Sequence, residues 1–284
     1  MKYSNSRAAT QFGRLAKTVM VGGAAFAFLG LSMNAQADPV CTVENWTDAP
    51  GLSDADTGTQ GSDNRRYGGP CGLRVNFDDE ARFVTYESGQ GEAQYIARFY
   101  AFLNDMGSDA AIIFAGTGGG DDQVQIWYNF PSANDLTLRA FDASGVENDL
   151  TFSDVGSGWH SIEFDWDRDS GDVVFLVNSE DDEASMNLDL SGLSIEAASL
   201  GNVAAADTGG VADFDDFDSR RSTRPGRLMA GDANDDGVIN VSDIASVVAE
   251  IDGIDFAAGQ PDCNEDGAVN VSDIACVVQI IDAS

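Results

Sequence analysis

The stretch Trp159-His160-Ser161-Ile162-Glu163-Phe164-Asp165-Trp166-Asp167 alternates from His160 onward. His160, Ile162, Phe164 and Trp166 fall on one face, and Ser161, Glu163, Asp165 and Asp167 on the other. A period of two is the pattern of a β-strand with one face buried and the other in water. Arg168-Asp169-Ser170-Gly171 then reads as a hairpin turn into the apolar run 173–177. Outward from this hairpin, short apolar runs recur at 73–77, 82–86, 94–103, 111–115, 123–130, 136–141 and 211–217. Turn-forming stretches at 87–92, 116–122 and 132–135 separate several of them. Many short strands with frequent turns predict a mainly β antiparallel sandwich over residues 38–222.

The hairpin at 159–178 and the stretch 208–221 resemble a late hairpin and the last strand of a concanavalin A-like or laminin G-like jelly roll. Such domains occur in lectins, secreted glucanases and many surface proteins. The resemblance implies a fold and not one activity.

Residues 231–284 contain a repeat with a period of 30 residues, in which Asn-Val-Ser-Asp-Ile-Ala recurs unchanged at 240–245 and 270–275. Calcium takes six to eight oxygen ligands from a sharply turning loop. Each copy supplies them at EF-hand spacing. Asp232, Asn234 and Asp236 stand at loop positions one, three and five. Gly237 takes the sharp bend at six, the Val238 carbonyl is position seven, Asn240 is nine and Asp243 closes the site at twelve. The second copy offers Asp262, Asn264, Asp266, Gly267, Ala268, Asn270 and Asp273 in the same roles. Two Ca²⁺ ions are therefore expected as cofactors. Magnesium, which prefers rigid octahedra, suits these loops less well.

Each loop leads into an amphipathic helical pattern, Ile244, Val247, Val248 and Ile251, then Ile274, Val277, Val278 and Ile281. No helical pattern precedes the first loop. A loop followed by one helix, duplicated and closed by Asp at position twelve, resembles the type I dockerin module. That resemblance implies a cohesin-like partner on a scaffold or surface protein. It carries the partner-contacting role onto Val241, Ser242, Val271 and Ser272. The chain departs from the usual pattern further along the helices, since no basic residue follows Arg227.

Residues 223–230, with their Arg, Pro and Gly, read as a linker between the two parts. At the other end, residues 1–37 join a basic start, a short apolar run and Ala35-Gln36-Ala37, the composition of a cleaved secretory signal peptide. No other segment is long and apolar enough to span a bilayer. The expected location is extracellular, secreted or at the cell surface, with the periplasm as an alternative.

The 284-residue chain carries −33, from 15 Lys and Arg against 48 Asp and Glu. Cleavage of the signal would leave eleven Arg against the same 48 acids, or −37, with no Lys. Such a field excludes nucleic acid as a partner and suits a saline medium. Cys41, Cys71, Cys263 and Cys276 allow three pairings. Local bridges Cys41–Cys71 and Cys263–Cys276 are expected in an exported chain.

Catalysis is left open. Glu163 and Asp167 approach the paired-carboxylate motif of jelly-roll glycoside hydrolases, but the second acid is shorter, and acids on a solvated strand face are the simpler reading. His160 lies among inward residues, as a core histidine rather than a lyase base. Gly116-Thr117-Gly118-Gly119-Gly120 lacks the Lys of a phosphate loop. The favoured reading is non-catalytic binding of a glycan or surface partner, with Trp127, Tyr128, Phe130, Tyr95 and Tyr100 as stacking candidates. Asp78-Asp79-Glu80 and Asp121-Asp122 are candidates for further calcium. A hydrolase of a polysaccharide-degrading system and a structural matrix protein are the alternatives.

Overall fold

The computed structural model describes residues 41–58 and 65–283. The signal peptide expected at 1–37 lies outside the described residues. The strands are β1 (Thr57–Gly58), β2 (Gly72–Asn76), β3 (Arg82–Glu92), β4 (Gln94–Phe102), β5 (Ala111–Gly118), β6 (Asp121–Tyr128), β7 (Leu136–Phe141), β8 (Glu147–Phe152), β9 (Trp159–Asp167), β10 (Asp172–Val177), β11 (Glu183–Asn187), β12 (Ile195–Asn202) and β13 (Val211–Arg220). Two helices follow, α1 (Val241–Ile251) and α2 (Val271–Ala283).

The strands form two antiparallel sheets, ordered β1-β2-β13-β4-β9-β10-β11 and β3-β12-β5-β6-β7-β8. The inward set of β9 lies where its period predicts, while Ser161 and Glu163 of the outward set, expected in water, are buried as well. Ile162, Phe164 and Trp166 pair across from Phe99, Ala97 and Tyr95 of β4 and enter the core together. Phe114 of the second sheet meets Phe99 at 5.7 Å and Phe164 at 5.1 Å between ring centroids, so one aromatic cluster joins the sheets. Truncating a ring of this kind to Ala costs about 3–5 kcal/mol. His160 is also buried, and its Nδ1 accepts from Asn178 Nδ2 at 3.0 Å.

The hairpin turn forms as expected, with Gly171 N–H donating to the Asp167 carbonyl at 2.9 Å. Gly171 has φ +79°, and a Cβ there would lie 2.4 Å from the Leu188 carbonyl oxygen, so only glycine fits.

Two expected turns are instead strand. Residues 87–92 continue β3, and most of 116–122 belongs to β5 and β6. Gly119 and Gly120 make the bend between β5 and β6, whereas Gly116 makes room: a Cβ there would meet Val124 Cγ1 at 2.8 Å. Strands β8 and β11 are polar edges whose residues alternate between exposed and half-buried. β12 is rich in Ala, Ser and Gly yet lies between β3 and β5, where pairing and burial override weak propensity.

Both cysteine bridges are formed, Cys41–Cys71 and Cys263–Cys276, with Cα separations of 5.6 and 5.9 Å. The bridge Cys263–Cys276 ties the loop before α2 to that helix. The helices pack over a small core of Ala233, Val247 and Ala257, with Val269 and Ile274 against it, and Val277 is also buried. Val248, Ile251 and Val278 of the predicted stripes remain exposed. A helix pair of this size has only one contact layer, which is narrower than the apolar stripe. Among the described residues no helix is long and apolar enough to cross a membrane.

Candidate functional site

The two loops before the helices share one hydrogen-bond scheme. In the first, Asp232 accepts from Gly237 N at 2.8 Å and Asp236 N at 3.1 Å. Asp243 accepts from Asn234 N at 3.1 Å and Asn240 N at 2.8 Å. In the second, Asp262 accepts from Gly267 N at 2.7 Å and Asp266 N at 3.1 Å, while Asp273 accepts from Asn264 N and Asn270 N. Gly237 and Gly267 have φ of +84° and +91°, the left-handed backbone of the sharp bend.

Asp232, Asp243, Asp262 and Asp273 are buried. Burial first, and then the neighbouring charges of Asp273 and Asp266, push the Asp262 carboxyl up to about 7. Among the described residues no Arg side chain forms an ion pair with any of the six loop aspartates. A buried carboxylate cluster of this kind calls for a countercharge. Oxygen donors on a sharply turning loop suit a hard divalent cation.

The carboxylates do not converge by themselves. Among the described residues no group of three or more His, Cys, Asp or Glu side chains is arranged to hold a metal. A cation would therefore also draw on Asn234, Asn264 and the carbonyls of Val238 and Ala268. Asn240 and Asn270 have their Oδ1 engaged with the backbone N–H of Ser242 and Ser272, capping α1 and α2. Their role at position nine is then better served through a water than directly. Val241 and Val271 stand at the helix starts, each 72% exposed. Ser242 and Ser272 accept from Asn234 Nδ2 and Asn264 Nδ2, so they belong to the loops as much as to a surface.

Glu163 departs from the solvated reading. It lies on the outer face of the first sheet but is buried, because residues 224–228 run across that face. Gly226 N–H donates to Glu163 Oε2 at 2.9 Å. Burial raises the Glu163 carboxyl, and the Gly226 hydrogen bond, Arg224 and Arg98 offset part of the rise. Asp165 is raised by burial too, partly offset by Gln94. Asp167 builds the hairpin, its Oδ1 accepting from Asp169 N at 2.8 Å and Ser170 N at 3.3 Å. The second acid of the hydrolase motif is thus committed to a turn.

The proposed linker segment is bound along its length. Arg224 pairs with Glu183 at 2.9 Å, Arg227 N donates to Glu180 at 2.9 Å, and Leu228 N donates to Tyr100 Oη at 2.7 Å. Beneath it, Tyr67, Tyr100, Phe102 and Trp159 form an aromatic cluster capped by Leu228. The rings of Tyr67 and Tyr100 stack at 3.5 Å. Glu265 of the second loop closes on this cluster. Its carboxylate accepts from Arg227 Nη2 at 2.8 and 3.1 Å and from Tyr67 Oη, and its carbonyl accepts from Trp159 N at 3.1 Å. Nothing in the repeat distinguishes Glu265 except that it replaces the Asp235 of the first copy.

Of the stacking candidates, Tyr95, Tyr100 and Tyr128 are buried, which removes them from a surface role. Trp127 and Phe130 are half-buried on the outer side of the second sheet, with centroids 5.2 Å apart. Arg139 lies over both, held by Asp149 at 2.8 Å and Glu147 at 2.9 Å. Asp78 and Glu80 are paired with Arg82, whose hydrogen bonds hold Asp78 below its ordinary range. Asp122 accepts from Gln125.

No family model matches the sequence, and no curated protein matches it. Solved structures with similar outlines include the receptor-binding domain of botulinum neurotoxin type G, at 14% identity and a TM-score of 0.41, covering 55% of this chain and 40% of that one. Another is the serotype D binding domain, at 11% identity and a TM-score of 0.41, covering 53% of this chain and 39% of that one. A serotype D ligand-binding domain in complex with N-acetylneuraminic acid aligns at the same TM-score and identity. The chain thus spans about two fifths of the length of these structures. Similarity of this degree carries no argument about a site or a ligand.

Proposed function

We propose that the chain is an exported binding protein of two parts. In this reading the C-terminal part is a type I dockerin-like module that holds two Ca²⁺ ions and attaches the chain to a cohesin-like protein. The sandwich, a jelly roll of the concanavalin A-like or laminin G-like kind, binds a glycan or a surface partner. The observation that carries the calcium reading is the repeated loop with its six aspartates, four of them buried, and no paired Arg. When bound, each ion supplies positive charge and a centre for the loop oxygens. The protein's part is to bring those oxygens together and to start a helix from the last of them. Val241, Ser242, Val271 and Ser272 are the residues offered to a partner.

Calorimetric titration of the full chain with CaCl₂ tests the reading. Two ions should bind, and Asp243→Ala and Asp273→Ala should each leave one. Absence of calcium binding at millimolar concentration would overturn it. For the sandwich, Trp127 and Phe130 are the aromatics left for a sugar ring, and a glycan array on the full chain tests them.

A hydrolase reading is not favoured. Glu163 lies beneath the Gly226 backbone, and Asp167 is held in its turn.

A further inference from the structure

The two repeats meet the sandwich differently: the first through the buried Arg66–Glu250 pair near the end of α1, the second through Glu265 in its loop. Glu265 at position four of the second loop supplies no calcium ligand from its side chain. It points out of the loop from a left-handed backbone (φ +57°) and joins Arg227, Tyr67 and Trp159. Two positions on, Gly267 lies flush with the Phe102 ring, where a Cβ would sit 2.5 Å from the ring edge. Arg227 is the last Arg of the segment covering the outer face of the first sheet, and its neighbour Leu228 caps the aromatic cluster.

We infer that calcium in the second loop holds the 224–228 segment closed over the Glu163 face of the sandwich. This rests on the reading that the loop binds calcium. The loop backbone that aims Glu265 also carries Asp262, Asp266 and Asp273, the carboxylates that a bound cation would draw together. Without a cation those carboxylates repel one another, the loop relaxes, and Glu265 leaves Arg227 and Tyr67. The covering segment then loses the anchor between its two ends. Because binding and docking share one loop conformation, each strengthens the other by the same factor. Loss of calcium uncovers a face carrying Glu163, Arg98, Tyr100 and Trp159.

The full chain offers a direct readout. Beyond the signal region its basic residues are all Arg, so trypsin cuts at few places, and the Arg227–Leu228 bond lies in the covering segment. The peptide nitrogen of that bond is held by Tyr100 Oη. Cleavage there, followed by mass and normalised to an unfolded arginine peptide, should be at least about tenfold faster in calcium-free than in calcium-saturated solution. Glu265→Gln should still bind two ions but lose that protection. Measured in the Asp243→Ala background, it should bind calcium at the second loop about fivefold more weakly. Asp235→Asn, the matched change in the first loop, should alter neither.

Two bound ions with cleavage indifferent to calcium would overturn the coupling and leave the calcium reading intact. Unchanged second-loop affinity in Glu265→Gln would do the same. No calcium bound at all would overturn both.

Discussion

The two acidic loops are near copies of one another in sequence and differ in surroundings. In the first, Asp235 and Gly237 are exposed, and a Cβ on Gly237 would meet nothing within 4 Å. In the second, Glu265 and Gly267 are half-buried against Arg227, Tyr67 and Phe102. The first has Ala233 and Ser246 where the second has the bridge Cys263–Cys276. The same local code thus serves once as a loop packed on residues 259–260 and once as a clasp on the sandwich. The lesson is that spacing specifies a loop's internal chemistry, while one methylene and two cysteines outside the ligand set decide what that chemistry is connected to.

The largest difference between the loops is expected when calcium is withheld. Hydrogen exchange on the full chain in EDTA should show the first turn of α1 losing protection, because no disulfide ties its loop to the helix, while the end of α1 stays held by the buried Arg66–Glu250 pair. α2, still bridged, should retain part of its protection until a reductant is added. Equal protection in both helices, with and without calcium, would sink this expectation.

Next in size is the bridge itself. Replacing both cysteines by Cys263→Ala and Cys276→Ala should cost about 3 kcal/mol in the C-terminal part, the loss expected for a short closed loop. Urea unfolding at saturating calcium measures it. The variant should make the second loop behave more like the first.

Acid separates the sandwich from the loops. Burial pushes His160 down to about 4 from an ordinary 6.5. The unfolded chain therefore takes up a proton below about pH 6.5 that the folded sandwich refuses until about pH 4. Stability falls as pH drops through that window, and the imidazole's share of the loss is about 3 kcal/mol. His160→Gln should flatten that part of the pH profile in unfolding of the sandwich.

A smaller effect comes from Gly267→Ala against Gly237→Ala. Both place a Cβ on left-handed backbone, at about 1 kcal/mol. Only Gly267→Ala also forces the Phe102 ring aside, which adds about 1–3 kcal/mol. Smallest is Glu265→Asp, which makes the second loop match the first at position four. The Arg227 pair is partly exposed, and its loss should cost no more than about 1 kcal/mol. Raised salt should shrink that difference further.

Much of the architecture was legible in the chain. The alternation of β9 and the Asp167–Gly171 turn identify a hairpin because period and turn chemistry are local. The cysteine pairs follow from their separation into the two ends of the chain. β12 was not legible, because its small residues earn their place only between two neighbouring strands. Glu163 was misleading for a related reason. Its position on the outward set is correct, yet its burial comes from Gly226, 63 residues away.

Features with a short repeat are therefore legible in the chain alone, namely the β alternation and the loop spacing, as is the acidity from composition. Tertiary structure alone decided that the outward face of β9 is covered, that Trp127 and Phe130 rather than the tyrosines stay near the surface, and that Glu265 rather than Asp235 reaches Arg227. The physical reason is that periodicity encodes which side of an element a residue takes. Which body covers that side is set by long-range packing, and no local pattern records it.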